Sequence, residues 1–381
     1  MNGAGGHVDG ACAARFSAVR EAFAELFVTG QDVGASVAVA LDGDVVVDLW
    51  GGFADGDRSR PWERDTIVNV FSTTKTVMAL AALVLADHGA LDLDAPVARY
   101  WPEFAANGKA DVRVRHVLGH TSGLAGWQER ITVDDLCDWE KATSLLAAQA
   151  PWWEPGTASG YHALTQGFLV GEVVRRITDR TLGRFVAEEI TGPLGADFYI
   201  GVGAEHDARV GRVIPPASGL PTDGDWSSLV IRTLANPRFR AEDTWTIAWR
   251  RAEMPAVNGH GNARAVARIQ SVLACGGTGG GRRFLSESGC DAVFREQASD
   301  VDLVLGIPVR FGMGYGLTSP LTPLGPNPRT CFWGGWGGSL VVVDRDARMV
   351  VAYVMNRMGE GTLGDTRGFS LVNAAYGALA G

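Results

Sequence analysis

The chain has 381 residues, 46% of them hydrophobic, and a formal net charge of -9 with acids and bases interspersed. That length builds a large core, and the absence of a basic face excludes a nucleic-acid binder. No apolar run reaches the length of a membrane span. The five cysteines at 12, 137, 275, 290 and 331 are scattered and in no metal-ligand spacing. With no basic, then apolar leader pattern in Met1-Asn-Gly-Ala-Gly-Gly-His7, reduced thiols and a cytoplasmic protein are expected.

In chain order, residues 9–30 show Phe16, Val19, Phe23 and Leu26 at helical spacing and predict an amphipathic helix. Ala35–Leu41 and Asp44–Trp50 are β-rich runs around an Asp42-Gly43 turn and predict a hairpin. Thr66–Phe71 leads to Ser72-Thr-Thr-Lys75. The run Thr76–Ala86 is apolar nearly all round and stops at His88-Gly89, which predicts a buried helix. Residues 132–149, 163–193 and 262–275 read as helices. Residues 203–260, rich in Pro, Gly, Asp and Trp, read as loops with short helices covering a pocket. The glycines at 276–281 follow a helix and lack Gly-Lys-Ser/Thr, so they read as a turn. Ser339–Asp344 and Met349–Val354 form a second hairpin, and 366–379 a closing helix. The expected architecture is α+β. Residues 1–80 and 300–381 share an antiparallel sheet flanked by terminal helices. Residues 81–299 form a mostly helical domain, and the site lies in the cleft between them.

Ser72 and Lys75 are three apart, so on a helix both fall on one face. A serine hydroxyl needs a base beside it, and a lysine shielded from water can lose its proton and be that base. Alone the pair reads better as a helix cap and a snorkelling lysine. Two further stretches bear on it. Tyr161, in Gly160-Tyr-His-Ala163, offers a phenol whose anion a lysine can stabilise. Trp333-Gly334-Gly335 leads to a strand, and its glycines let backbone N–H groups approach a ligand closely. His116 and His120 are four apart but have no adjacent Glu and no third ligand, and read as a structural pair. No metal and no cofactor is expected.

Together these stretches resemble the serine β-lactamase and penicillin-binding-protein superfamily, with its S-x-x-K, Y-x-N and K-T-G motifs in that order. Leu91-Asp-Leu-Asp94, Val117-Leu-Gly-His-Thr-Ser-Gly-Leu124, Pro155-Gly-Thr157 and Asn258-Gly-His-Gly-Asn-Ala-Arg264 add to the likeness, which runs from about Val33 to the end. The resemblance is closest to class C β-lactamase-like family VIII carboxylesterases. It implies Ser72 as nucleophile and Lys75 with Tyr161 as the base network, Tyr161 shuttling the proton to the leaving alkoxide. It implies an oxyanion hole from the backbone N–H groups of Ser72 and Trp336. Trp333, Gly334 and Gly335 would line the substrate site, with His162 at its edge. Two departures from the pattern shape the substrate. Trp333 stands where a lysine would hold a carboxylate, and Ala163 where an asparagine would hold an amide. Both favour a small-molecule ester over a β-lactam. Acyl transfer to an alcohol or amine, amide hydrolysis and weak β-lactam hydrolysis use the same acyl-enzyme. A binding protein that kept only the fold would not need all three of Ser72, Lys75 and Tyr161. The absence of G-x-S-x-G argues against an α/β-hydrolase.

Overall fold

The computed structural model describes residues 7–380. The Met1–Gly6 stretch of the leader reading lies outside them. From the N-terminus come β1 (Val8–Cys12), α1 (Ser17–Val28), β2 (Gly34–Leu41), β3 (Asp44–Gly52), α2 (Thr74–Asp87), α3 (Thr165–Thr178) and α4 (Ala263–Ala274). Then follow β4 (Ala298–Val301), β5 (Pro308–Phe311), β6 (Gly316–Leu317), β7 (Thr330–Gly334), β8 (Leu340–Asp344), β9 (Met349–Met355) and α5 (Thr366–Ala380). The nine strands form one antiparallel sheet in the order β1-β3-β2-β9-β8-β7-β6-β5-β4. The two predicted hairpins therefore meet at its centre, where Val37 pairs with Tyr353.

Helices cover both faces of that centre. The first N–H of α4, at Ala263, donates to Ser36 Oγ (3.1 Å) on one face. On the other, Tyr353 donates to Asp32 (2.6 Å) beneath α5. Side chains alternate between faces along a strand, so β2, β8 and β9 must be apolar on both. All of β8 and β9 is buried, and β2 is buried from Gly34 to Ala40. Helix α4 lies within 81–299 yet packs on the sheet, because its apolar stripe from Ala263 to Ala274 meets β2 and β9.

The helix expected over 9–30 is replaced at its start. Val8–Cys12 is an edge strand on β3, and the helix begins at Ser17. Gly10, with φ 102° and set against the Asp48 carbonyl, suits that strand and would weaken a helix. The expected 132–149 helix is two, Val133–Leu136 and Trp139–Ala148, divided where Asp138 caps the second. The 163–193 segment likewise breaks at Asp179, which has φ 54°.

Helix α2 is buried on every side from Thr74 to Leu85. Each such Leu or Val contributes about 1.5–3 kcal/mol of transfer free energy. The apolar residues of α2 belong to one continuous hydrophobic core that also takes in β2, β8 and β9. Among the described residues, no helix is long and apolar enough to cross a membrane.

Candidate active site

Ser72 lies not on α2 but on the 3-10 turn Phe71–Thr73 that precedes it. Phe71 has φ 47°, a left-handed conformation costing a bulky residue about 1–3 kcal/mol, which the surroundings must hold. From one side, Gly259 accepts from Val70 N–H (2.8 Å) and donates to Thr74 Oγ1 (2.9 Å), while Thr74 Oγ1 donates to the Phe71 carbonyl (2.5 Å). From the other, Ser339 Oγ donates to the Val70 carbonyl (2.8 Å) and lies 2.9 Å from Thr73 Oγ1. The Phe71 ring meets Trp336 edge-on at 5.3 Å. The serine is thus clamped between β7–β8 and the 258–262 segment.

Tyr161 donates its phenolic O–H to Ser72 Oγ at 2.7 Å. Lys75 Nζ lies 3.2 Å from Ser72 Oγ and donates to the carbonyls of Ala163 (2.7 Å) and Ala256 (2.9 Å). Lys75 is 1% exposed and no carboxylate faces it, so burial holds its pKa well below the ordinary lysine value. In its neutral form it would keep two N–H donors for the two carbonyls and a lone pair for the Ser72 proton. Tyr161 is shifted the other way. Burial raises its pKa, opposed by the hydrogen bond with Ser72. Both shifts run towards the uncharged forms, the opposite direction from a phenolate paired with an ammonium.

Gly335 passes directly beneath the serine. A Cβ there would sit 2.3 Å from the Val70 carbonyl, 2.4 Å from Ser339 Oγ and 3.2 Å from Ser72 N. A Cβ on Gly334 would strike the Leu363–Gly364 backbone at 2.3–2.4 Å. Gly335 N–H donates to Ser339 and Gly337 N–H to Gly361. Among the described residues no partner accepts from the N–H of Trp336 or of Ser72. Both residues line the same cavity.

Ser72, Tyr161, Ala163 and Trp336 line a cavity of ≈ 50 Å³, walled by Leu164, Leu234, Val257 and Leu305, with no charged residue in its lining. Leu220, Phe239 and Trp336 also line an outer cleft of ≈ 310 Å³ that contains Arg238, Arg240, Asp223 and Glu242. Leu220 and Phe239 come from the 203–260 segment, expected to cover a pocket, and Trp336 from the turn after β7. A larger cleft of ≈ 550 Å³, with Asp55, Arg60 and Arg250 in its walls, shares no residue with the cavity at Ser72.

Four residues expected to line the substrate site, His162, Trp333, Gly334 and Gly335, are absent from the cavity wall. His162 is fully buried with its Nε2 2.6 Å from Ser122 Oγ and its Nδ1 2.6 Å from the Gly160 carbonyl, and it does not line the cavity. Burial pushes it down to about 4, so it is a neutral prop under the tyrosine loop. Trp333 is likewise not in the cavity lining. Its ring packs against Tyr161 and His120 and backs the phenol. His116 and His120 do not share a helix, since that helix ends at Leu118 and His120 has φ 60°. The Ala256 carbonyl, which no sequence signal singled out, and the bonds by which Ser339 Oγ holds the serine turn are the unanticipated parts. Asn258 anchors the first by accepting from Met254 N–H (2.9 Å) and donating to the Trp249 and Ala252 carbonyls.

A protein-family model described as Beta-lactamase matches residues 19–375. Esterase/beta-lactamase LipL of Mycobacterium tuberculosis (strain ATCC 25618 / H37Rv) is 36% identical over 368 residues, which are 93% of this chain and 84% of that protein. Esterase EstB of Burkholderia gladioli is 31% identical over 364 residues, 87% of this chain and 88% of its own. A crystal structure of a family VIII carboxylesterase superposes with a TM-score of 0.93 at 44% identity, covering 98% of this chain and 100% of that one. The chain belongs to the Beta-lactamase family and shares the fold of a family VIII carboxylesterase.

Proposed function

We propose that this protein is a serine carboxylesterase that forms an acyl-enzyme on Ser72 with neutral esters. The observation that carries the reading is the uncharged cavity at Ser72, next to a buried lysine that no carboxylate pairs. A substrate carboxylate would lose its water there and meet no cation to replace it, whereas an ester gives up little. The esterase names of LipL and EstB and the family VIII carboxylesterase at 44% identity point the same way.

In this reading Ser72 Oγ adds to the ester carbonyl carbon and its proton passes to neutral Lys75. The carbonyl oxygen takes the negative charge between the N–H groups of Ser72 and Trp336. As the intermediate collapses, the carbon–oxygen bond to the alcohol breaks. Tyr161 protonates the leaving alkoxide and regains a proton from the Lys75 ammonium. Water then attacks the acyl-enzyme, its proton leaving by the same groups, and frees Ser72 and the acid.

The test is hydrolysis of p-nitrophenyl butyrate by wild type and Ser72→Ala, with intact-mass mapping of a serine-directed phosphonate. Wild type should turn over and label at Ser72. Ser72→Ala should lose about 10³-fold or more in kcat/KM. Equal activity in the two proteins, or label at another residue, would sink the assignment.

A further inference from the structure

Asp302 is fully buried, yet no lysine or arginine pairs with it among the described residues. One carboxylate oxygen, Oδ1, accepts three backbone N–H groups: Tyr161 at 3.0 Å, Val304 at 2.9 Å and Leu305 at 2.9 Å. The other, Oδ2, is buried with no hydrogen-bond partner. The surrounding loop is closed by Asp302 N–H to Ile307 (3.0 Å), Gly306 N–H to Asp302 (2.9 Å) and Leu303 N–H to Ser159 (2.8 Å). A buried carboxylate without a cation is costly, and each of its unmet hydrogen-bonding sites adds to that cost. An aliphatic residue would avoid both costs if the position served packing alone.

The three bonds converge on the machinery at Ser72. The N–H of Tyr161 has no other partner, and the phenol of the same residue reaches Ser72 Oγ at 2.7 Å. Leu305 is a wall of the cavity, and Val304 packs in the apolar cluster that contains Tyr161 and Trp333. One oxygen atom therefore ties the proton donor and one wall of the substrate cavity into a single rigid unit. We propose that Asp302 is a positioning residue of the esterase site, holding Tyr161 in register with Ser72 and with the leaving oxygen of the ester. This inference rests on the acyl-enzyme reading above.

The experiment exploits the leaving group. An ethoxide must be protonated as it leaves, whereas p-nitrophenolate is stable enough to depart without it. Displacing Tyr161 should then penalise ethyl butyrate more than p-nitrophenyl butyrate. The readout is the ratio of kcat/KM for the two esters, which reports acylation in both. Loss of folded protein scales the two equally and leaves the ratio unchanged.

Asp302→Ala should lower the ethyl-to-aryl ratio by about tenfold or more, since a misplaced proton donor costs on that order. Asp302→Asn keeps an oxygen that can accept the three N–H groups, and should restore the ratio to within about threefold of wild type. If Asp302→Ala does not fold, Asp302→Glu decides, because it keeps the carboxyl group but displaces the clamp by a methylene, and its ratio must also fall. An unchanged ratio in the Ala or Glu variant, or an equal fall in the Asn variant, overturns the proposal. Wild type inactive on both esters would instead sink the esterase reading itself.

Discussion

Two buried basic side chains, Lys75 and Arg367, have opposite fates. Arg367 is 5% exposed and donates to Asp32 (2.6 Å), Asp365 (2.6 Å) and the Gly337 carbonyl (2.7 Å). Burial alone would lower its pKa, but Tyr353, Asp365 and Asp32 outweigh that and raise it, so the guanidinium stays charged. Lys75 is 1% exposed and has carbonyl and hydroxyl oxygens around it, none of them a carboxylate. Burial acts on it unopposed, and it is held ready to lose its proton. Equal burial thus yields a structural ion in one place and a base in the other, and the partner set decides which.

Lys75→Met is the most severe way to break this comparison. It should lower kcat/KM on p-nitrophenyl butyrate by about 10³-fold or more, as removal of an essential base does. It should also stabilise the fold at neutral pH. Unfolded Lys75 keeps its proton up to about pH 10.4, while the folded state sheds it at much lower pH. Between those limits the unfolded chain binds more protons, so wild-type stability rises with pH. The margin of Lys75→Met over wild type should accordingly shrink from pH 7 towards pH 10 in urea melts. A margin that stays flat or grows over that range would mean that Lys75 is charged in the folded protein.

Arg367→Met tests the other side. It leaves Asp32 buried without its cation and should cost about 3–5 kcal/mol of stability, read as a fall in the denaturant midpoint. The same loss in an Asp32→Asn, Arg367→Met double variant would show that the unpaired charge is not the cause.

The smallest effect expected sharpens the dry side of the comparison. Leu220 lines both the cavity at Ser72 and the polar outer cleft. Leu220→Ala should open one to the other and shift the kcat/KM ratio of p-nitrophenyl octanoate to acetate upward by about tenfold, on the scale of a few methylene contacts. A ratio within twofold of wild type would place the chain-length limit elsewhere.

Much of the fold was legible because its signals are local. Asp42-Gly43 announces one hairpin, the runs Ser339–Asp344 and Met349–Val354 announce another, and a long apolar run after Ser72 announces α2. The edge strand Val8–Cys12 was not legible, since its pairing on β3 comes from forty residues downstream and overrides a helical pattern that is real from Ser17 on. In the site, the residue types of Ser72, Lys75 and Tyr161 and their order were visible. That His162 props a loop instead of lining the cavity was not, because adjacent residues on an irregular segment face different ways.

The sequence by itself determined which groups could do chemistry: a serine, a lysine three residues on, a tyrosine, and glycines able to pass close to a backbone. The tertiary structure alone decided their state. It placed Ser72 on a strained turn held by Gly259 and Ser339, and enclosed Lys75 among carbonyls from Ala163 and Ala256. It also set Asp302 behind Tyr161. Those partners lie 88 to 269 residues away along the chain, and a proton's affinity for a buried group is fixed by what surrounds it in space.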